Sequence, residues 1–224
     1  GNSRSIPGTA VTSASAGYVR GNPIKLTNTS GANGAINSFP FVQGTTADGI
    51  LIGNEQLNNY TFCHVARFAG ATRSRIFAGV TGNWLSGYWY SSSGVAHPGG
   101  WITTSSGGND TNWKVICHVG GTKSGLRSNG VDKTTATNNT TAMPANISIN
   151  MQGGRQTPNA TEISDWAVAE MYIFNSILSD AKILELEAIL KGKYGITDLT
   201  SSLSTINYAS TGDRTLYALW NSTI

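Results

Sequence analysis

From Asp165 to Phe174 the chain alternates with a period of two, which predicts a β-strand. Trp166, Val168, Glu170, Tyr172 and Phe174 fall on one side, and Ala167, Ala169, Met171 and Ile173 on the other. Only the second set is uniformly apolar and small, so strict alternation turns it to the core and leaves the first set outward. The period then changes. Ser179 suits an N-cap, Asp180 the first helical turn, and Ile183, Leu184, Leu186, Ile189 and Leu190 form an apolar stripe. Lys191 and Lys193 match the negative end of a helix, and Gly192 is the expected stop. It is the only convincing helix in the chain.

Upstream, short apolar runs between Gly-rich turns predict strands over 49–52, 60–68, 75–80, 85–90, 101–104, 113–119, 125–128, 131–135 and 147–152. Asn129-Gly130 predicts a type I′ hairpin turn. Residues 1–35 carry only scattered apolar positions, Val11, Tyr18, Val19, Ile24 and Leu26, which suit edge strands. Many short strands and one helix predict an all-β sandwich of two antiparallel sheets. With 224 residues the chain is long enough for one sizeable core.

Charge narrows the partners. Fifteen Lys and Arg stand against 12 Asp and Glu, dispersed and without a basic run that could follow a phosphate backbone, so nucleic acid is not an expected partner. No apolar run reaches the ~20 residues of a membrane span, and the first residues, GNSRSIPGT, lack the apolar core of a signal peptide.

Glu170, Met171, Ile173, Phe174, Asn175, Leu178 and Ser179, followed by Lys193 to Ile196, resemble the closing strand and helix of concanavalin A-like, laminin G-like jelly-roll domains. A Tyr60-Thr61-Phe62 strand, a strand opened by Trp113 and the Asn129-Gly130 hairpin follow that family's order, so the resemblance covers roughly Phe39 to Ile196. It implies a jelly roll over residues 1–196 with one C-terminal helix packed outside, and leaves 197–224 as a short β appendage. Within that tail, Gly212 to Trp220 resembles the last strand of Listeria-Bacteroides type surface repeats. Asn83 to Trp101 resembles domains of this type in proteins of large DNA viruses of algae, which implies a virion or cell-surface location.

Two strands share a tripeptide, Cys63-His64-Val65 and Cys117-His118-Val119. Neighbours in a strand point to opposite faces, so one tetrahedral zinc ion would not collect all four side chains. If the strands are adjacent, as the resemblance implies, the cysteines share one face and the histidines the other. Two small half-buried thiols are the preferred reading of the pair; a disulfide stays open, disfavoured by cross-strand strain. With His97 these are the only side chains suited to base chemistry near neutral pH, and no triad completes them.

Glycoside hydrolysis needs two carboxylates across a cleft, and the best approach to that pattern is Glu162, Asp165 and Glu170, whose spacings of three and five put partners on opposite faces. A single calcium ion has room at Asp48, Asp110 and Asp132 with loop carbonyls, but no DxDxDG loop occurs; no other cofactor is expected. Aromatic residues are the better clue, since a ring can stack on the C–H face of a sugar. Trp84, Tyr88, Trp89, Tyr90 and Trp101 crowd one segment, though Trp84, Trp89, Trp101 and Trp113 are expected to be packed rings. The candidate carbohydrate-binding set is Arg67, Trp166, Glu170 and Tyr172, on an open concave sheet face. The expectation is a non-catalytic, lectin-like recognition or attachment module for a polysaccharide or glycan, alone, as an oligomer or as part of a larger protein. A structural surface domain for protein–protein contact and a polysaccharide-cleaving enzyme are the alternatives.

Overall fold

The computed structural model describes residues 18–53, 55–106, 111–137, 141–154 and 159–196. The tail 197–224, with its expected β appendage and repeat-like strand, lies outside the described residues, as do Val11 and Asp110.

Among the described residues thirteen strands form two antiparallel sheets. The six-stranded sheet runs, edge to edge, β1 (Val19–Arg20), β4 (Gly49–Leu51), β12 (Ile147–Ile149), β6 (Phe77–Gly79), β7 (Trp84–Trp89) and β8 (Ser92–Pro98). The seven-stranded sheet runs β11 (Val131–Asp132), β10 (Gly125–Ser128), β9 (Lys114–Gly120), β5 (Tyr60–Phe68), β13 (Trp166–Phe174), β3 (Phe39–Gly44) and β2 (Ile24–Asn28). This is the expected all-β jelly-roll sandwich. β3 and β8 have no counterpart among the predicted runs, and 101–104 is a loop, laid against β8 by Ile102 N–H to Ala96 O (3.2 Å) and Ala96 N–H to Thr103 Oγ1 (3.0 Å).

Alternation along β5 sorts its side chains. Tyr60, Phe62, Ala66 and Phe68 enter the main core between the sheets with Phe77, Ile116, Trp84 and Tyr88, while Cys63 and Val65 face away from it. Strand β13 obeys the same rule only in halves. Val168 pairs with Ala66 and Glu170 with Val65, so Ala169 is the extra residue of a β-bulge. The bulge reverses the phase: Trp166 and Val168 enter the main core before it, Met171 and Ile173 after it. The outward placement of Trp166 is therefore corrected. Its indole is fully buried, donates to Asp48 O (3.1 Å), and lies over Gly44, where a Cβ would come within 2.5 Å of the ring.

Helix α1 (Asp180–Tyr194) begins as expected, with the Ser179 side chain accepting from Lys182 N–H. It ends at Gly195 rather than Gly192: Gly195 takes the left-handed conformation (φ 63°) and Ile196 N–H bonds back to Lys191 O at 2.9 Å. Its buried face is Ile183, Glu187, Leu190 and Tyr194, and Leu184 is exposed. Leu190 and Tyr194 pack with Phe39, Phe41, Val65, Trp113, Val115, Ala167 and Ala169, so the helix covers the outer face of the seven-stranded sheet.

Cys63 and Cys117 stand directly opposite each other in β5 and β9, share the outer face, and are joined as a disulfide beneath Ile183. This corrects the preference for free thiols. Register brings the two Cα atoms to 4.1 Å with both side chains on one face, which places the two sulfurs within bonding reach.

Candidate functional site

The face first assigned to recognition is the one α1 occupies. Glu170 Oε2 accepts from Lys193 Nζ and from the Tyr194 hydroxyl, each at 2.7 Å, and its Oε1 accepts from the Tyr172 hydroxyl. Burial, and then the bond to this carboxylate, push the Tyr194 hydroxyl far above the ordinary tyrosine range, so it stays a donor. Arg67 lies on the same face, its guanidinium over Trp113 (5.3 Å) and Phe41 (5.9 Å) and donating to Phe68 O (3.0 Å). The open concave surface expected for Arg67, Trp166, Glu170 and Tyr172 is thus corrected: Glu170 and Tyr172 lie against the helix, Arg67 is stacked on Trp113 and Phe41, and Trp166 is on the other side of the sheet.

The two histidines share the face opposite the cysteines, as expected, and that face is the core, where both are fully buried. His118 Nε2 meets the Tyr60 hydroxyl at 3.2 Å, which also accepts from Trp84 Nε1 (3.0 Å), and His64 Nε2 meets Ser86 Oγ at 3.4 Å. Burial lowers His118 to about 3 and holds His64 well below the usual imidazole value, with the other imidazole adding to the effect at His64. Both are neutral packing groups with no access for a substrate.

The carboxylates do not converge. Glu162 pairs with Arg75, Asp165 accepts from Thr72 N–H (3.0 Å), and Glu170 is under the helix. Among the described residues no group of three His, Cys, Asp or Glu could hold a metal ion. Asp48 caps its own loop, accepting from Thr45 N–H (2.8 Å), Thr45 Oγ1 (2.9 Å) and Asn22 N–H (2.7 Å). Burial opposes its charged form, but these bonds and Arg20 outweigh it and lower its pKa. Arg20 in turn donates to the carbonyls of Ala47 and Asn150 (both 2.9 Å), so those oxygens already face a cation. Asp132 is on β11 at the far edge of the other sheet, so the two aspartates do not share a site.

What the structure does assemble is a row of rings on the six-stranded sheet. In β7, Trp84 and Tyr88 enter the core and Trp89 takes the opposite face. His97 pairs with Leu85, four residues before Trp89 and therefore about 13 Å away along the strand. The Trp101 ring bridges that interval, 5.0 Å from His97 and 6.4 Å from Trp89 between centroids. Tyr90 continues the row 5.9 Å beyond Trp89. Trp89, His97 and Trp101 are half-buried, and Tyr90 is 73% exposed, the most exposed large apolar side chain among the described residues.

Polar groups frame the row. The Arg75 guanidinium sits 4.8 Å from the Trp89 centroid, is ion-paired with Glu162, and donates to Asn83 Oδ1 at 2.7 Å. Asn83 O receives His97 Nδ1–H at 2.9 Å, which fixes the ring and turns Nε2 away from that contact. Tyr90 and Ser91 form the two-residue turn between β7 and β8, with φ of 46° and 67°. Both are left-handed, a conformation that costs a non-Gly residue roughly 1–2 kcal/mol. A two-residue type I′ turn needs a positive φ at both central positions, so the hairpin itself sets this backbone and holds the Tyr90 ring at its tip.

Sequence reasoning noticed the crowding of aromatics here but read Trp89 and Trp101 as packed. The signal that separates them is parity: Trp84 and Tyr88 share a face that Trp89 does not. A second hollow, of about 450 Å³ and lined by Asn58, Asn59, Gly121, Thr122 and Ala142, offers no ring, and Asn59 Oδ1 is already taken by Thr122 N–H (3.0 Å).

Fold and surface together define a two-sheet antiparallel jelly-roll sandwich with an aromatic row on one sheet. No family model and no curated protein matches the chain. Solved structures do. It is similar to domain 4 of AbnA, a GH43 extracellular arabinanase from Geobacillus stearothermophilus in complex with arabinotriose, with a TM-score of 0.52 and 16% identity over 76% of this chain and 87% of that one. It is also similar to the binding domain of Paraclostridial Mosquitocidal Protein 1, with a TM-score of 0.52 and 9% identity over 79% of this chain. There it spans 48%, about half, of the other chain's length. Identities this low establish the shared fold alone.

Proposed function

We propose that this domain is a non-catalytic carbohydrate-recognition module that binds glycan on the row Tyr90, Trp89, Trp101 and His97. The observation that carries the reading is the row itself: rings open to solvent, with exposed Asn83 and the His97 imidazole beside them to meet sugar hydroxyls. Domain 4 of AbnA, with the same fold, is a structure in complex with arabinotriose. The separate partners of Glu162, Asp165 and Glu170 favour binding over hydrolysis, because no carboxylate pair faces a common cleft. A disulfide suits an oxidising compartment and hence an extracellular, cell-surface or virion location, where such a module would serve attachment.

A glycan array followed by titration of the best ligands tests this. Wild type binds at least one glycan class, and Trp101→Ala abolishes that binding without unfolding the domain; no binding to any glycan at millimolar concentration overturns the reading.

One observation favours protein–protein contact as a second reading. Edge strand β2, with no neighbouring strand on its outer side among the described residues, exposes Ile24 (53%) and Leu26 (37%). Under that reading sedimentation shows a concentration-dependent oligomer that Leu26→Lys dissolves, and a monomer at all concentrations removes self-association from it.

A further inference from the structure

Resting on the carbohydrate reading, we infer that the row takes the interior of a soluble, uncharged glycan chain, several sugars at a time, rather than one terminal sugar or an acidic polymer. Three features of the site specify this ligand.

The first is shape. The rings succeed one another along the β7–β8 hairpin in steps of 5.0, 6.4 and 5.9 Å, so a chain lying along the strands meets a new ring at each step. At one end Tyr90 is at the exposed hairpin tip, and among the described residues no side chain walls it. Beyond His97 the chain continues as Pro98-Gly99-Gly100, with the Thr141 side chain beside Gly99. A site that caps a chain end is closed around that end, whereas the exposed tip lets a polymer run on past Tyr90.

The second is tilt. Successive ring planes turn by 86°, 55° and 42°, so the row is not a flat platform. A crystalline polymer surface presents coplanar sugar faces and would touch one ring at a time. A single chain in solution, free to rotate about its glycosidic bonds, can present each sugar face to each ring in turn.

The third is charge. Arg75, the guanidinium that contacts the row through Trp89, is 5% exposed and neutralised by Glu162. Its role is to hold Asn83 and Trp89 in place, and a carboxylate or sulfate on the ligand would have to compete with Glu162 for it.

The test is calorimetric titration of the whole chain with neutral arabino- and gluco-oligosaccharides from mono- to hexasaccharide, at low and high salt, alongside sedimentation with microcrystalline cellulose and chitin. The expected result is no measurable monosaccharide binding and an affinity that rises by about tenfold or more between di- and tetrasaccharide. Salt leaves that affinity unchanged, and the crystalline polymers do not retain the protein. Equal affinity for mono- and hexasaccharide, preference for a uronic-acid or sulfated polymer that salt abolishes, or retention on the crystalline polymers each overturns the inference while leaving the carbohydrate reading intact. Absence of binding to any sugar removes both.

Discussion

The two sheets turn very different outer faces to their surroundings. On the seven-stranded sheet the disulfide, Val65, Trp113 and Phe39 are roofed by α1, and ion pairs fasten the roof to the sheet: Glu170 with Lys193 and Glu187 with Arg127. On the six-stranded sheet the β7–β8 hairpin leaves its rings open and pays for the tip with two left-handed residues. A lone carboxylate among aromatics reads the same in sequence whether it anchors a helix or contacts a ligand. The difference is whether another element of the chain satisfies it first.

The largest effect is expected where the roof is fastened. Glu187 is 1% exposed, accepts from Arg127 Nε (2.8 Å) and from Gly130 N–H (3.1 Å), and burial raises its pKa against the opposing pull of Arg127. Arg127→Ala strands that carboxylate and costs about 3–5 kcal/mol in urea unfolding. Glycan affinity of the folded fraction is unchanged.

Next comes pH. His118, at about 3 in the folded chain, and His64, well below its ordinary value, are neutral when folded, whereas the unfolded chain protonates them near 6.5. A lowered folded value means that stability is full above about pH 6.5 and falls as the pH drops toward 3. At pH 5 the loss is about 2 kcal/mol for His118, and His64 adds to it in the same direction. Denaturant midpoints between pH 7 and 5 measure it, and His118→Gln reduces the slope.

Removing the bridge with paired Cys63→Ala and Cys117→Ala releases a loop of sequence separation 54 and costs about 2–4 kcal/mol, read as a fall in Tm. The smallest effect on stability has the opposite sign. Tyr90→Asn places a residue that tolerates φ of 46° at the hairpin tip, stabilises the domain by about 0.5–1 kcal/mol, and weakens glycan binding. A stabilised variant that binds as well as wild type would show the tip strain to have no bearing on recognition.

Much of the fold was legible before any coordinates. β5 and β10 fall where their runs end, Ser179 caps α1, and the Cys and His residues of the twin tripeptides take opposite faces as strand geometry requires. The site was not. Strict alternation assigned the faces of β13, and the single extra residue, Ala169, reversed that assignment for Trp166 and Val168; among Ala167, Val168 and Ala169 nothing in the side chains distinguishes a bulge from a regular strand. The β7–β8 turn was equally hidden, because Tyr90-Ser91 replaces the Asn-Gly pair that marks such turns elsewhere in the chain, at Asn129-Gly130. Gly192 drew the helix stop three residues early because the deciding interaction, Ile196 N–H to Lys191 O, belongs to the chain beyond it.

The most direct test sets one face against the other in a single assay. Titrating the same soluble oligosaccharide into Trp101→Ala and into Glu170→Gln, each verified as folded by near-UV circular dichroism, separates an open row from a covered anchor. Trp101→Ala should lose binding while Glu170→Gln binds as wild type and is only less stable. Loss of binding in Glu170→Gln with full binding in Trp101→Ala would place recognition on the helix-covered face and contradict the account.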